Sequence, residues 1–364
     1  MRHPRRFGLL AVAAMFGALV GAPGLTAAAN APITFDLRYG DSCIYGYSTP
    51  SDAVTIVWRD STGGLKAQGT APSNGFWAFC AADESTVVRI GDTIKVKDGT
   101  YVRKFIVPDL SLNIDRVSDL FRGTGPASRT IRLAYAIGLF NDNEESHSVR
   151  VGTDGHWSYD PHQDVPGGQY ARLGWRTPHG DELELYGSSP TLTVTLGRSA
   201  FSGYTAAFTD VRVALRDPAT STRKATGTAT SDGYGGFGGT FRNANGTAIP
   251  VSAGDRLRGL SFAADLNWII PNVEGSADVA TDFVYGRCFD TGVSDYFAQV
   301  RVLRPGGFRG ASWVYPDDTG AFAVDFSQPD EFGHDHANIK HGDRVVIACW
   351  QSTGDIVQHI FRVP

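Results

Sequence analysis

Beyond its first thirty residues, the sequence has no apolar run that approaches the roughly 18 residues of a membrane-spanning helix. It also has no long stretch with helical periodicity, and it lacks the G-x-S-x-G, H-E-x-x-H and phosphate-loop motifs of common enzyme classes. Only six lysines occur, which disfavours repeated Lys–Asn isopeptide cross-links. We therefore expect no transmembrane segment in the mature chain and no enzymatic activity.

The N-terminus has the three parts of a secretory signal peptide. Arginines at positions 2, 5 and 6 precede an apolar run over 7–20, and small residues end the segment at Ala29. A retained membrane anchor is the alternative, but an apolar run of about 14 residues is short for a bilayer. The sequence predicts a signal peptide over 1–29 and a secreted, extracellular or cell-surface protein.

The charge balance excludes a further class of partner. Without residues 1–29 the chain has 30 basic and 38 acidic residues, a net charge of −8. Binding to nucleic acid or to an anionic membrane depends on basic residues. We therefore expect neither as a partner.

Three landmarks recur in the same order with a period of about 80 residues, which is typical of a repeat array. The first is an apolar residue two positions before a glycine: Ile44/Gly46, Phe121/Gly123, Phe201/Gly203 and Val284/Gly286. The second is a turn glycine with an aromatic two positions later: Gly75/Trp77, Gly155/Trp157, Gly235/Phe237 and Gly320/Phe322. The third is Gly-Asp before an alternating strand, at Gly91-Asp92, Gly254-Asp255 and Gly342-Asp343, with Gly168-Gln169 in its place in the second copy.

The landmarks divide the chain into four repeats over 30–108, 109–190, 191–271 and 272–364, each ending at or near a proline. Alternating apolar residues and closely spaced turns predict about seven strands per repeat. In repeat 1 we expect strands near 33–38, 42–47, 54–59, 64–70, 75–80, 92–97 and 101–107. The fold class is all-β, with four tandem immunoglobulin-like (Ig-like) β-sandwiches after the signal peptide.

The pattern resembles the bacterial Ig-like repeats of extracellular adhesins and surface proteins. The residues that carry the resemblance in repeat 1 are Ile44-Tyr45-Gly46, Val54-Thr55-Ile56, Asn74-Gly75-Phe76-Trp77 and Gly91-Asp92-Thr93-Ile94. It implies the fold for nearly all of the mature chain. It implies little about function, because sandwiches serve many roles.

The four cysteines fall in the two end repeats, and an exported chain meets oxidising conditions. Cys43 and Cys80 lie in the second and fifth predicted strands and out of phase with the core. This placement predicts a surface bridge between neighbouring strands. Cys288 and Cys349 lie in the second and sixth strands and in phase with the core, the inter-sheet position of Ig domains. We expect both disulfides to stabilise the ends of the array.

Few other residues suggest a binding site. Trp77 and Trp157 occupy the repeated core position, whereas four tryptophans are not explained by the repeat and are candidates for a ligand surface: Trp175, Trp268, Trp313 and Trp350. His334, His336 and His341 are candidate metal ligands, with a solvated loop as the simpler interpretation. No cofactor is expected. Acidic residues such as Asp115 and Asp119 leave calcium open.

The sequence therefore favours a secreted, non-catalytic structural or adhesive array. A carbohydrate- or protein-binding module is the first alternative, and an accessory part of a secreted enzyme is the second. The partner would be a cell-surface or extracellular protein or glycan. Because the linkers are short, we expect the four repeats to lie end to end as a rod of about 150 Å, from strand lengths of about 23 Å plus loops.

Overall fold

A computed structural model describes residues 33–48, 51–137, 144–260, 266–288, 297–328, 337–351 and 353–364. The predicted signal peptide lies outside these residues. All 28 regular elements within the described ranges are β-strands. No helix in this part of the chain is long and apolar enough to cross a membrane.

Each of the four repeat ranges contains seven strands. In repeat 1 these are β1 (Ile33–Arg38), β2 (Cys43–Ser48), β3 (Ser51–Arg59), β4 (Leu65–Ser73), β5 (Phe76–Cys80), β6 (Thr93–Asp98) and β7 (Tyr101–Ile106). In repeat 2 they are β8 (Asn113–Asp115), β9 (Leu120–Thr124), β10 (Thr130–Tyr135), β11 (Glu145–Arg150), β12 (His156–Tyr159), β13 (Tyr170–Arg176) and β14 (Glu182–Ser188).

Repeats 3 and 4 follow the same order. Repeat 3 contains β15 (Thr191–Thr195), β16 (Ala200–Tyr204), β17 (Asp210–Arg216), β18 (Arg223–Thr230), β19 (Gly236–Thr240), β20 (Arg256–Gly259) and β21 (Asn267–Ile269). Repeat 4 contains β22 (Val273–Asp278), β23 (Phe283–Cys288), β24 (Ala298–Arg304), β25 (Gly307–Val314), β26 (Ala321–Asp325), β27 (Arg344–Trp350) and β28 (Ile356–Arg362).

Within a repeat the first, second and fifth strands pair with one another, and the third, fourth, sixth and seventh form a second group. Two such groups of strands enclose the apolar side chains of each repeat, as in an Ig-like sandwich. The predicted fold class is confirmed.

The first two landmarks are partners across the second and fifth strands. The registers pair Gly46 with Trp77, Gly123 with Trp157, Gly203 with Phe237 and Gly286 with Phe322. A Cβ built on Gly46 would lie 2.2 Å from the Trp77 ring. The glycine is required because the core aromatic lies against its backbone.

The third landmark is a buried turn. Asp92 accepts hydrogen bonds from the Arg89 amide and from Trp58 Nε1 and forms an ion pair with Lys66 at 2.7 Å. The corresponding residue in repeat 3, Asp255, pairs with Lys224. These aspartates fix the entry to the sixth strand because each carboxylate has its hydrogen-bond partners inside one repeat.

Both predicted disulfides are present, Cys43–Cys80 and Cys288–Cys349. Cys43 is directly opposite Cys80 in the β2–β5 register, near the surface. The second bridge is buried and joins β23 to β27, which belong to different sheets.

The repeats do not lie end to end. β1 pairs in parallel with β14, and β15 pairs in parallel with β28. Two seven-stranded sheets result, β11-β10-β13-β14-β1-β2-β5 and β19-β16-β15-β28-β27-β24-β25. We call repeats 1 and 2 the first unit and repeats 3 and 4 the second unit. One hydrophobic core extends through each unit. The predicted rod of four repeats in line is wrong, because the edge strands of paired repeats hydrogen-bond side by side.

A buried aspartate secures each parallel pair. Asp181 Oδ1 accepts the Phe35 amide of β1 at 3.1 Å, and Asp355 Oδ1 accepts the Leu192 amide of β15 at 2.9 Å. Each aspartate follows a turn glycine and immediately precedes the last strand of its unit. The two units are therefore copies of one two-repeat structure.

The units also contact each other. Arg116 of the first unit donates to the Pro190 carbonyl at 2.9 Å and pairs with Asp355 of the second unit at 3.2 Å. Gly40 meets Gly233 so closely that a Cβ on Gly40 would lie 2.3 Å from the Gly233 Cα. Ala207 and Phe208 of repeat 3 also pack against the core of the first unit, so the units contact each other through polar, backbone and apolar groups.

Candidate binding face

The outer face of the first seven-stranded sheet carries most of the exposed aromatic residues of the first unit. Side chains alternate along a strand, so Phe35 and Leu37 of β1 enter the core while Asp36 and Arg38 point outward. The same alternation on the neighbouring strands exposes a common set of residues, which we call the tyrosine face. Its members are Asp36, Arg38, Tyr45, Tyr47, Phe76, Tyr170, Arg172, Glu182, Glu184 and Tyr186.

One aromatic cluster lies at the edge formed by β2 and β5. The Phe76 ring lies 5.5 Å from that of Tyr47 and is stacked with that of Tyr45 at 6.3 Å, centroid to centroid. Tyr47 is 56% exposed and Phe76 is 43% exposed. The Cys43–Cys80 bridge joins the same two strands. The rings therefore sit on a cross-linked ribbon with their surfaces open to solvent.

A second cluster lies on β13 and β14. Tyr170 and Tyr186 are stacked at 5.6 Å. Tyr234, from repeat 3, lies 6.2 Å from Tyr186. Tyr170 and Tyr234 are 45% and 49% exposed. The contact between the units therefore extends the face beyond the first unit.

Charged residues separate the two clusters. The Glu184 carboxylate lies at the centre of these charged residues. It is 3.2 Å from the Arg172 guanidinium and 3.4 Å from that of Arg38, and it accepts a hydrogen bond from the Tyr186 hydroxyl at 2.7 Å. The three carboxylates of the face, Asp36, Glu182 and Glu184, lie near three guanidinium groups on the same strands, those of Arg38, Arg172 and Arg176. Glu144, next to β11, adds a fourth carboxylate 2.7 Å from Arg172, so the carboxylates of this strip outnumber these three guanidinium groups.

Burial sets the protonation of this strip. It raises the pKa of Asp36 and that of Glu182, and the nearby charge of Glu184 adds to both shifts. Burial and the hydrogen bond to Glu184 raise the pKa of Tyr186 to about 12. The face presents phenol, carboxyl and guanidinium groups beside flat aromatic rings.

The sequence prediction of a tryptophan surface is corrected in part. Trp268 is 8% exposed and lies in the core of the second unit, so it cannot belong to a binding surface. Trp175 packs partly against the core of the first unit. Trp313 and Trp350 do meet, at 5.1 Å, and both also contact the Phe297 ring. The sequence analysis did not identify the tyrosines of the tyrosine face as candidate site residues. They alternate with core residues along their strands, and every strand with one exposed face shows the same alternation.

The candidate metal ligands do not form a site in the described part of the chain. His334 and His336 lie outside the described residues, and exposed His341 contacts the Pro364 carbonyl through Nδ1. Among the described residues no group of three or more His, Cys, Asp or Glu is placed to hold a metal ion. Asp115 instead pairs with Arg122 at 2.7 Å, and Asp119 accepts the Val165 amide.

Comparison with family models finds no match, and no curated protein matches the chain. Solved structures of repeat proteins are similar over nearly the whole chain. The tetra-tandem repeat in the extending region of a large adhesion protein is 14% identical, with 91% of this chain and 99% of that chain covered and a TM-score of 0.18. The BSP domain of a biofilm-associated protein is 9% identical, with coverages of 92% and 96% and a TM-score of 0.18.

Two B repeat units of the collagen-binding protein of Staphylococcus aureus are 9% identical, with coverages of 90% and 98% and a TM-score of 0.12. At such identities and scores these likenesses carry no argument about function. The strand order described above is what places this chain among tandem Ig-like β-sandwich proteins, the fold of the bacterial surface repeats that its sequence resembles.

Proposed function

We propose that the protein is a secreted, non-catalytic adhesion protein that binds a neutral polysaccharide across the tyrosine face. The observation that carries this proposal is the pair of exposed aromatic clusters on one sheet with a strip of paired charges between them. The disulfides and the predicted signal peptide support an extracellular location, because disulfides persist in oxidising compartments.

The geometry of the face favours an extended ligand over a small one. Tyr47 is paired with Thr34 of β1, and Tyr186 lies two residues beyond Glu184, the partner of Arg38 of β1. Measured along β1, the two tyrosines are therefore offset by the four residues from Thr34 to Arg38 plus these two. This offset corresponds to about 20 Å along the strands at about 3.3 Å per residue. One small sugar cannot reach both clusters, whereas a polymer chain lying on the sheet can.

The chemistry favours sugar rings. Aromatic side chains present a flat apolar surface, and tyrosine adds a hydroxyl at its rim. Pyranose rings have an apolar C–H face that packs on such a surface, and their hydroxyl groups can bond the paired Arg172 and Glu184. Because the guanidinium groups of the strip are all matched by carboxylates, the face favours a neutral polymer over an anionic one.

Binding to immobilised neutral polysaccharides tests the proposal. We expect Tyr47→Ala and Tyr170→Ala each to weaken binding about tenfold, the loss of one well-packed aromatic contact. Tyr285→Ala is the matched control, since Tyr285 is 45% exposed but lies on a three-stranded sheet of repeat 4. Equal losses in all three variants would reject the tyrosine face. Binding to a protein ligand with no binding to any polysaccharide would reject the glycan.

A further inference from the structure

One corner of repeat 2 carries polar side chains at positions that face the core. Ile131 and Leu133 of β10 are buried, and Tyr135 follows them on the same side of the strand and is 1% exposed. The β10–β11 register places His147 opposite Leu133 and Glu145 opposite Tyr135. Because directly opposite residues of an antiparallel pair share one face of the sheet, His147 and Glu145 lie on the inner face with Tyr135.

The other three repeats have small residues at the positions of His147 and Glu145. In each repeat, one residue of the third strand pairs with the residue two positions after the Asp or Gln of the third landmark, and these residues are Tyr135, Trp58, Leu215 and Val302. The residues equivalent to Glu145 are therefore Ala67, Ala225 and Gly310, and those equivalent to His147 are Gly69, Gly227 and Ser312. An acid and an imidazole take these inner positions in repeat 2 only.

A second tyrosine reaches the same corner from the opposite sheet. Tyr159 of β12 lies two residues after Trp157, the repeated core aromatic, and packs partly against the core of the first unit. Its ring lies 4.8 Å from that of His147 and 5.9 Å from that of Tyr135, centroid to centroid. β12 belongs to a three-stranded sheet, whereas β10 and β11 belong to the seven-stranded sheet. The cluster therefore lies between the two sheets of repeat 2.

Four polar atoms converge in this corner. The Tyr135 hydroxyl oxygen lies 3.4 Å from Glu145 Oε2 and 3.3 Å from His147 Nε2, and these two atoms are 3.3 Å apart. The Tyr135 oxygen also lies 3.3 Å from the Tyr159 hydroxyl oxygen. All of these separations exceed the roughly 2.5–3.2 Å of usual hydrogen bonds. The atoms are thus gathered in one place without short bonds to one another.

The cluster is open to solvent on one side. The side chains of His147 and Glu145 are 34% and 55% exposed. The Tyr135 ring closes the inner side, where it stacks on the Phe121 ring at 4.8 Å. An ion can therefore reach the imidazole and the carboxylate directly from solution.

We infer that this corner of repeat 2 binds a zinc ion through Tyr135, Glu145 and His147. Imidazole nitrogens and carboxylate oxygens are usual zinc ligands. For an ion about 2.0–2.1 Å from each ligand atom, the separations of 3.3–3.4 Å correspond to angles of about 104–116°, close to the tetrahedral geometry that zinc adopts. The bond from zinc to the Tyr135 oxygen replaces the bond to the phenol proton, which is released to solvent. A water molecule near the Tyr159 hydroxyl completes the four ligands.

The ion fixes a strand that has only one neighbour. β11 is the edge of the seven-stranded sheet and pairs with β10 alone, and repeat 2 contains no cysteine. Ligands from both strands therefore give this edge a cross-link of the kind that the Cys43–Cys80 bridge gives to β2 and β5 at the opposite edge.

Calorimetric titration of the full chain with zinc chloride tests the inference. His334 and His336 are first replaced by alanine, so that these other candidate ligands cannot contribute. We expect one zinc ion per chain. His147→Gln and Glu145→Gln should each weaken its binding at least about tenfold, since even the loss of an outer-shell partner costs this much. His162→Gln is the matched control, because His162 also lies beside a carboxylate, at 3.4 Å, but is 86% exposed.

The ultraviolet spectrum gives a second readout that depends on the tyrosine. Burial raises the pKa of Tyr135, so its phenol stays protonated at neutral pH unless a cation replaces the proton. Zinc should therefore produce the difference spectrum of an ionised tyrosine, and Tyr135→Phe should remove it.

Two results would overturn the inference. One is the absence of zinc binding at millimolar zinc. The other is zinc binding that is unchanged in folded His147→Gln and Tyr135→Phe variants. Neither result depends on the tyrosine face, which lies on the outer side of the sheet and is tested with polysaccharides.

Discussion

Replacing Arg116 with alanine should destabilise the protein by about 3–5 kcal/mol, the usual cost of removing one partner of a buried ion pair. The side chains of Arg116 and Asp355 are 5% and 2% exposed and lie 3.2 Å apart. The Arg116 guanidinium also donates to the carbonyls of Pro190 and Thr353. Its loss leaves a buried carboxylate without its counterion and two carbonyls with one donor fewer.

The same change has a definite pH dependence. Burial already raises the pKa of Asp355, even though Arg116 opposes the shift. Without Arg116 that pKa rises further above the unfolded value. A raised pKa in an acid favours the folded state at low pH, and that contribution is lost as the pH rises through the folded-state pKa. Arg116→Ala should therefore be less harmful near about pH 5 than near about pH 8.

Calorimetry and urea unfolding at both pH values measure this prediction. The control is Arg122→Ala, which removes the same kind of pair from Asp115 in the same repeat. Arg122 is 51% exposed, so its loss should cost at most about 1 kcal/mol. The reasoning is refuted if Arg116→Ala costs no more than Arg122→Ala. Adding Asp355→Asn should recover part of the loss, because it removes the uncompensated charge.

Two further predictions concern shape and charge. Small-angle scattering should give a radius of gyration below about 30 Å. A compact globule of this length would give about 20 Å, and a rod of four repeats in line would give about 40 Å. A value near 40 Å would contradict the parallel pairing of β1 with β14. Glu182→Gln should raise the melting temperature at about pH 7 and leave it unchanged at about pH 4. The pKa of Glu182 is raised in the folded state, so the folded state loses stability as the pH rises and this carboxyl ionises, whereas glutamine does not ionise. An equal change at both pH values would mean that packing, and not ionisation, sets the effect.

Local patterns were enough to predict what lies within one repeat. The core position of Trp77, the seven strands and the disulfide pairs all depend on strand phase, which alternation reveals. The pairing between repeats was not predictable in this way. Asp36 and Glu184 give β1 and β14 the alternating polar pattern of exposed strands, and that pattern does not say whether a partner strand lies alongside. A usable signal existed in Gly180-Asp181 and Gly354-Asp355, because only the even repeats have a Gly-Asp pair directly before the seventh strand.

The candidate site was less accessible to sequence reasoning. Tryptophan attracted attention because it is rare, yet Trp268 fills the core. Tyr47, Tyr170 and Tyr234 come from three different repeats and form one surface only after the sheets join and the units meet.

The parallel strand pairs also constrain how the chain can be made. Phe35 of β1 meets its partner Asp181 across 146 positions of sequence, and Leu192 meets Asp355 across 163. Since a chain is synthesised at roughly 5–20 residues per second, the edge of β1 remains unpaired for on the order of 10–30 s until β14 has been synthesised. An unpaired strand edge is a template for aggregation during that time. A chain halted within repeat 2 would carry this edge permanently, so the smallest fragment fit for expression is two repeats.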